Sequence, residues 1–177
     1  MEFKNKEELV NEAIKRGACE DALEWVSEQP DLKAILQNCP LGWRIWCMVE
    51  GFTQFDEYLD FNRLDGLEWA ALLRSRPEFA EHCDFDRLEG NHWVFLLRLR
   101  SEFAEYCDWS KLDGYAWARL LIEKPEFGRY CDWSKLSKHN WAFLLIEQPQ
   151  FAKHCPKRYR EYLVAYHSEF GKIFEEI

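Results

Sequence analysis

The apolar positions of this 177-residue chain recur in a block that returns every 24 residues. Cys83, Cys107, Cys131 and Cys155 share one column, and Asp60, Asp84, Asp108 and Asp132 share the next. Leu64, Leu88, Leu112 and Leu136 make a third column, and Trp69, Trp93, Trp117 and Trp141 a fourth. Each Trp is followed at i+3 and i+4 by two leucines, which is one inward stripe of a helix. A block this short cannot bury its own stripe, so a fixed period of this size predicts stacked units.

The polar positions punctuate each block. Asp65, Glu89, Asp113 and Ser137 precede the Trp helix where a side-chain oxygen satisfies open amides, although Glu is a weak capping residue. Gly66, Gly90 and Gly114 follow them, and Lys138 takes that place in the last unit. Pro77, Pro125 and Pro149, with Ser101 in the remaining unit, open a second, shorter helix with inward Phe and Cys. The recurrent Asp then caps a tight turn or short 3₁₀ segment.

Shifting by 24 also aligns Gly42 with Gly66, Ile45 with Trp69 and Phe55 with Phe79, a degenerate first unit. Trp43 and Trp46 have no counterparts, as expected of a unit that meets a cap. Before it, helical spacing predicts helices over 3–16 and 20–28, with Gly17 as a stop and Pro30 opening a third around Leu32, Ile35 and Leu36. Their acidic side chains suit the outer face of an N-terminal cap. From Pro156 onward, one or two closing helices are expected, with Tyr159, Tyr162, Leu163 and Tyr166 inward. Lys157, Arg158, Arg160 and Glu161 then point outward, Gly171 is a candidate break, and Ile173, Phe174 and Ile177 fold back on the last repeat. The expected fold is an all-α helical solenoid: a cap over 1–40, a degenerate repeat over 41–59, four repeats over 60–155 and a cap over 156–177, in one continuous domain.

Charge narrows the function. The formal net charge is −9, which disfavours direct binding to nucleic acid. Residues 1–107 carry 22 acidic and 12 basic side chains, whereas residues 108–177 carry 10 and 11. An acidic half suits a basic partner surface. No apolar run is long enough for a membrane span, and the N-terminus lacks a signal-peptide pattern, so a cytoplasmic, soluble chain is expected. The seven Cys contain no C-x-x-C pair, and units stacked about 8–10 Å apart leave the column thiols too distant for disulfides. They read as buried thiols in a reducing compartment.

The run Cys-Asp-Trp-Ser-Lys-Leu, followed by Trp-x-x-Leu-Leu and Pro-Glu/Gln-Phe, resembles tandem-repeat proteins of gut bacteria and their mobile elements over about residues 60–155. The leucine-rich repeat variant proteins, which alternate α and 3₁₀ helix in 24-residue units, are similar in architecture only. Neither resemblance implies catalytic residues or a cofactor.

Positions that recur are those a stack requires, so the positions that change between units are free to meet a partner. On the Trp helices these are Leu67, Ala71 and Arg74; Asn91, Phe95, Arg98 and Leu99; Tyr115, Arg119 and Ile122; and His139, Phe143 and Ile146. They share one face, whose other use would be packing against a neighbouring helix row. Arg74 with Arg98, and Arg76 with Arg100, form two basic columns. These would clamp a phosphate or carboxylate, or neutralise helix C-termini.

The column before each Cys reads Tyr58, His82, Tyr106, Tyr130 and His154, side chains suited to a core rim. His82-Cys83 and His154-Cys155 lie three repeats apart, too far to share a zinc ion, and no metal site is expected. No catalytic constellation or phosphate-binding Gly loop stands out, so no enzyme is expected. The resulting expectation is a scaffold for a protein partner, including a nucleic-acid-binding protein with a basic groove. An alternative is a phage or mobile-element inhibitor of a bacterial defence nuclease, resembling an anti-CRISPR, whose acidic half occupies that groove.

Overall fold

A computed structural model describes residues 1–175, which fold into helices and turns with no β-strand among them. Ile177, expected to fold back on the last repeat, lies outside the described residues. The chain divides at a repeat boundary into two compact units, Met1–Cys83 and Asp84–Ile177.

In the first unit, α1 (Lys6–Lys15) starts where the Asn5 side chain accepts from the Glu8 amide, later than residue 3. Phe3 is instead buried edge-on against Phe52, with ring centroids 4.9 Å apart. Gly17, at φ 80°, ends the helix as expected, in the left-handed region that favours glycine. α2 (Glu20–Glu28) and α3 (Leu32–Asn38) follow. Pro30 does not occupy the first turn of α3; Asp31 intervenes and caps the helix through the Ala34 amide. α4 (Leu41–Val49) and a 3₁₀ helix (Thr53–Tyr58) form the degenerate repeat. Trp43, one of the two residues without a counterpart, meets Trp25 of α2 at 5.9 Å. Arg44 ties this region together: its guanidinium donates to the carbonyls of Leu36, Gln37, Cys39 and Tyr58. The lone pairs left open at the end of α3 are thereby satisfied. α5 (Gly66–Ser75) and the 3₁₀ helix Pro77–His82 complete the unit.

The second unit repeats one plan. α6 (Gly90–Leu97), α7 (Gly114–Glu123) and α8 (Lys138–Glu147) alternate with six-residue 3₁₀ helices at Ser101–Tyr106, Pro125–Tyr130 and Pro149–His154. Three-residue 3₁₀ turns join them, so the expected shorter helix is 3₁₀ throughout. α6 packs on α7 and α7 on α8. The capping positions behave as their chemistry dictates. Asp113 accepts from the Ala116 amide, and Ser137 and Asn140 bond reciprocally. At Glu89, the weak capping residue, the backbone N–H donates to His92 Nδ1 at 3.0 Å.

Lysine staples bind each turn to the one before it. Lys111 Nζ donates to the carbonyls of Asp86 (2.5 Å) and Leu88 (3.1 Å), and Lys135 Nζ to those of Ser110 (2.6 Å) and Leu112 (2.9 Å).

The repeating Asp caps each turn. Asp108 accepts from the Ser110 hydroxyl at 2.6 Å and amide at 3.0 Å, and Asp132 does the same with Ser134 at 2.6 and 3.1 Å. Those hydrogen bonds, the hydroxyl's first, hold both carboxyls below their ordinary range. A depressed carboxyl contributes stability above its unfolded value, about pH 3.9, and that contribution is lost as pH falls through the lower folded value. Asp108→Asn, Asp132→Asn should therefore melt below wild type at pH 7. The gap should narrow as pH falls below about 3.9; a gap of equal size at pH 7 and pH 3 would rule the caps out as its source.

The C-terminal segment holds α9 (Lys157–Tyr166) and α10 (Glu169–Glu175). Gly171 lies within α10 and does not break it; the break falls at His167–Ser168. Arg160 does not point freely outward but lies 5.2 Å over the Phe174 ring and donates to the Cys155 carbonyl. Phe170 is buried, and with Ile173 it closes over Leu145 and Pro149 of the last repeat. No helix of the described residues is long and apolar enough to cross a membrane.

Candidate docking face

The face available to a partner follows from how each Trp helix spends its circumference. Trp93, Leu96 and Leu97, then Trp117, Leu120 and Leu121, then Trp141, Leu144 and Leu145, are buried to 1% exposure or less. Val94 and Ala118, one position after Trp, are also fully buried, and Ala142 nearly so. Small side chains there allow one helix to approach the next. At about 100° per residue, the first, fifth and eighth positions after the helix-start residue lie opposite the inward stripe.

That opposite face is solvent-exposed and changes between units. In α6 it carries Asn91 and Phe95, with Arg98 and Leu99 just beyond; in α7, Tyr115, Arg119 and Ile122; in α8, His139, Phe143 and Ile146. Leu99, Tyr115, Phe143 and Ile146 are 49–66% exposed. Phe95, Arg119 and Ile122 on the same face are half-buried. Arg119 sits 5.7 Å over the Tyr115 ring, and His139 meets Tyr162 of α9 edge-on at 5.8 Å. In the first unit, α5 presents Leu67 exposed at the equivalent place.

The arginine columns occupy helix ends. Arg74 is in the last turn of α5, and Arg76 and Arg98 follow α5 and α6. Arg76 pairs with Asp56 at 2.8 Å and Glu78 at 2.5 Å, and its Nη1 reaches the Met48 carbonyl at 3.5 Å. Arg98 pairs with Glu123 at 2.6 Å, and Arg100 with Glu102 at 3.6 Å. These guanidinium groups already hold carboxylates of their own unit, which leaves less of their charge for an external anion. Arg74 and Arg76 belong to the first unit, Arg98 and Arg100 to the second.

The residues before each Cys do more than line a rim. Every repeat contains a three-ring stack: buried Trp, then the aromatic after the repeating Asp, then the Tyr or His. The series are Trp69–Phe61–His82, Trp93–Phe85–Tyr106, Trp117–Trp109–Tyr130 and Trp141–Trp133–His154. Inner centroids are 5.4–5.8 Å apart and outer ones 4.4–4.6 Å, with planes within 20°. Burial, helped by Lys153, lowers the pKa of His154 and favours the neutral ring that lies on Trp133. Both outer columns were visible in the sequence, but their contact required the turn geometry.

All seven cysteines are free thiols. Burial pushes Cys107 and Cys131 up to about 12 and Cys155 up to about 11, so these sulfurs remain protonated and weakly nucleophilic at neutral pH. Among the described residues, no three His, Cys, Asp or Glu side chains gather as a metal site.

No family model matches the chain, and no curated protein or solved structure matches it at a significant level.

Proposed function

We propose that the chain is a non-enzymatic cytosolic scaffold that holds a protein partner on the outward face of α6, α7 and α8. The observation that carries this reading is the contrast on each helix: a buried stripe that recurs in every unit, and opposite it a face whose composition changes between units and exposes apolar side chains. Leu99, Tyr115, Phe143 and Ile146 supply aromatic and aliphatic anchors of the kind that dominate protein interfaces. The Arg98–Glu123 ion pair ties α6 to α7 within the second unit, and Leu67 is exposed at the equivalent position of α5 in the first.

Phe95→Asp, Tyr115→Asp, Phe143→Asp in one chain should keep the helix content and lose the captured partner. A folded triple variant that retains every partner of the wild type contradicts the proposal. Repeating the capture at high salt and with competing nucleic acid separates the acidic-groove inhibitor. That alternative loses binding under both conditions, whereas an apolar interface persists.

A further inference from the structure

Independently of that face, we propose that the first unit binds a small, neutral, apolar molecule in a cavity enclosed by α1, α2, α3 and α4. The cavity has a volume of about 220 Å³ and is lined by Leu9, Ala13, Ala22, Trp25, Ile35 and Trp43, among other apolar side chains and the thiols of Cys19, Cys39 and Cys47. Among the described residues, no charged side chain, side-chain amide or side-chain hydroxyl lines it. The neighbouring Cys39 thiol, together with burial, holds the Cys47 thiol protonated. An apolar cavity of about 150 Å³ stays dry and takes benzene, because water there finds no hydrogen-bond partners. The present cavity suits a somewhat larger ring or a short alkyl chain and lies below the usual size of sites for drug-sized ligands.

The state of α2 supplies a second, independent observation. Its apolar residues Ala22, Leu23, Trp25 and Val26 all line the cavity, yet α2 buries none of its residues. A helix with a strong apolar stripe normally closes that stripe against a core. Here the space beneath it is open, while Lys6 Nζ holds the helix end through the carbonyls of Ser27 (2.8 Å) and Gln29 (2.6 Å). The exposed Gly17 and Cys19 form part of the cavity rim, so a ligand has an entrance. A ligand would complete the burial of α2. Charged or amide-bearing ligands are disfavoured, since each polar group would enter without a partner.

Methyl-resolved NMR of the full chain, titrated separately with toluene and n-octanol, tests the site. Saturable shifts are expected at Leu9, Leu23 and Ile35, with Leu96 and Leu120 of the second unit unmoved. Ala22→Phe, which fills the space from α2, should weaken toluene binding by at least about tenfold at unchanged helix content. If that variant does not fold, Ala22→Ser, which places a hydroxyl in the wall, should weaken it by about tenfold. The proposal is overturned if neither probe gives a saturable shift up to its solubility. It is equally overturned if a folded Ala22 variant binds toluene as the wild type does.

Discussion

Trp117→Ala is expected to destabilise the protein by about 3–5 kcal/mol, a large share of the roughly 5–15 kcal/mol that separates folded from unfolded states. The side chain is fully buried, stacks at 5.4 Å on Trp109, and through Trp109 supports Tyr130. Truncation therefore opens a cavity and removes the base of a three-ring stack. Trp117→Phe should cost far less. The buried indole Nε1 of Trp117, like those of Trp69, Trp93 and Trp141, has no hydrogen-bond partner among the described residues. Losing that donor removes an unsatisfied group worth about 1–3 kcal/mol and offsets part of the lost volume. Urea unfolding followed by circular dichroism reads both variants. Equal losses for Phe and Ala would show that the ring stack contributes nothing.

Gly114→Ala is expected to cost about 2–3 kcal/mol, although alanine is the better helix former. A Cβ at Gly114 would run into the Lys135 carbonyl oxygen and come within 2.8 Å of Asn140 Oδ1. Relieving the clash means moving the turn whose Lys135 side chain holds the Ser110 and Leu112 carbonyls, so the strain spreads to two further hydrogen bonds. A Cβ at Gly90 would face the same constraint, 2.6 Å from the Lys111 carbonyl oxygen. Gly42 occupies the matching place in the degenerate unit, and a Cβ there would meet nothing among the described residues within 4 Å outside its own helix backbone and chain neighbours. Gly42→Ala should accordingly be neutral or stabilising by up to about 1 kcal/mol. Thermal melts of the two variants should shift in opposite directions or differ by several degrees. Indistinguishable melts would contradict the close approach between successive turns.

Most of the architecture was legible because one set of columns recurs. Trp117, Leu120 and Leu121 had to share a helix face, and Asp108 and Asp113 had to stand where backbone amides open. The Gly column became intelligible only in three dimensions, where the next turn occupies the space of a side chain. Lys138, in the last copy, instead extends its Nζ to 4.1 Å above Tyr162 of α9. The 3₁₀ character of Pro125–Tyr130 depends on hydrogen bonds that periodicity does not distinguish from an α turn.

The candidate face was readable as columns of changing residues, and the structure adds which members are exposed. Tyr115 and Phe143 stand out while Phe95 and Ile122 are half-covered. The fate of the arginines was not readable. Whether Arg76 faces a ligand or Asp56 depends on a contact 20 residues away in sequence. The N-terminal cavity was likewise hidden, because Ala13, Ala18 and Ala22 look like ordinary small helix residues until the space between them is seen.

The central claim is that the outward face of α6, α7 and α8 holds a protein. It is tested most directly by replacing Tyr115 with a photo-crosslinking phenylalanine derivative in the native host and comparing it with the same derivative at Glu126, an exposed position on the 3₁₀ row. A discrete protein adduct from position 115, absent from position 126, is the predicted result. Adducts from position 126 alone, or none from position 115 at wild-type abundance of the chain, would contradict it.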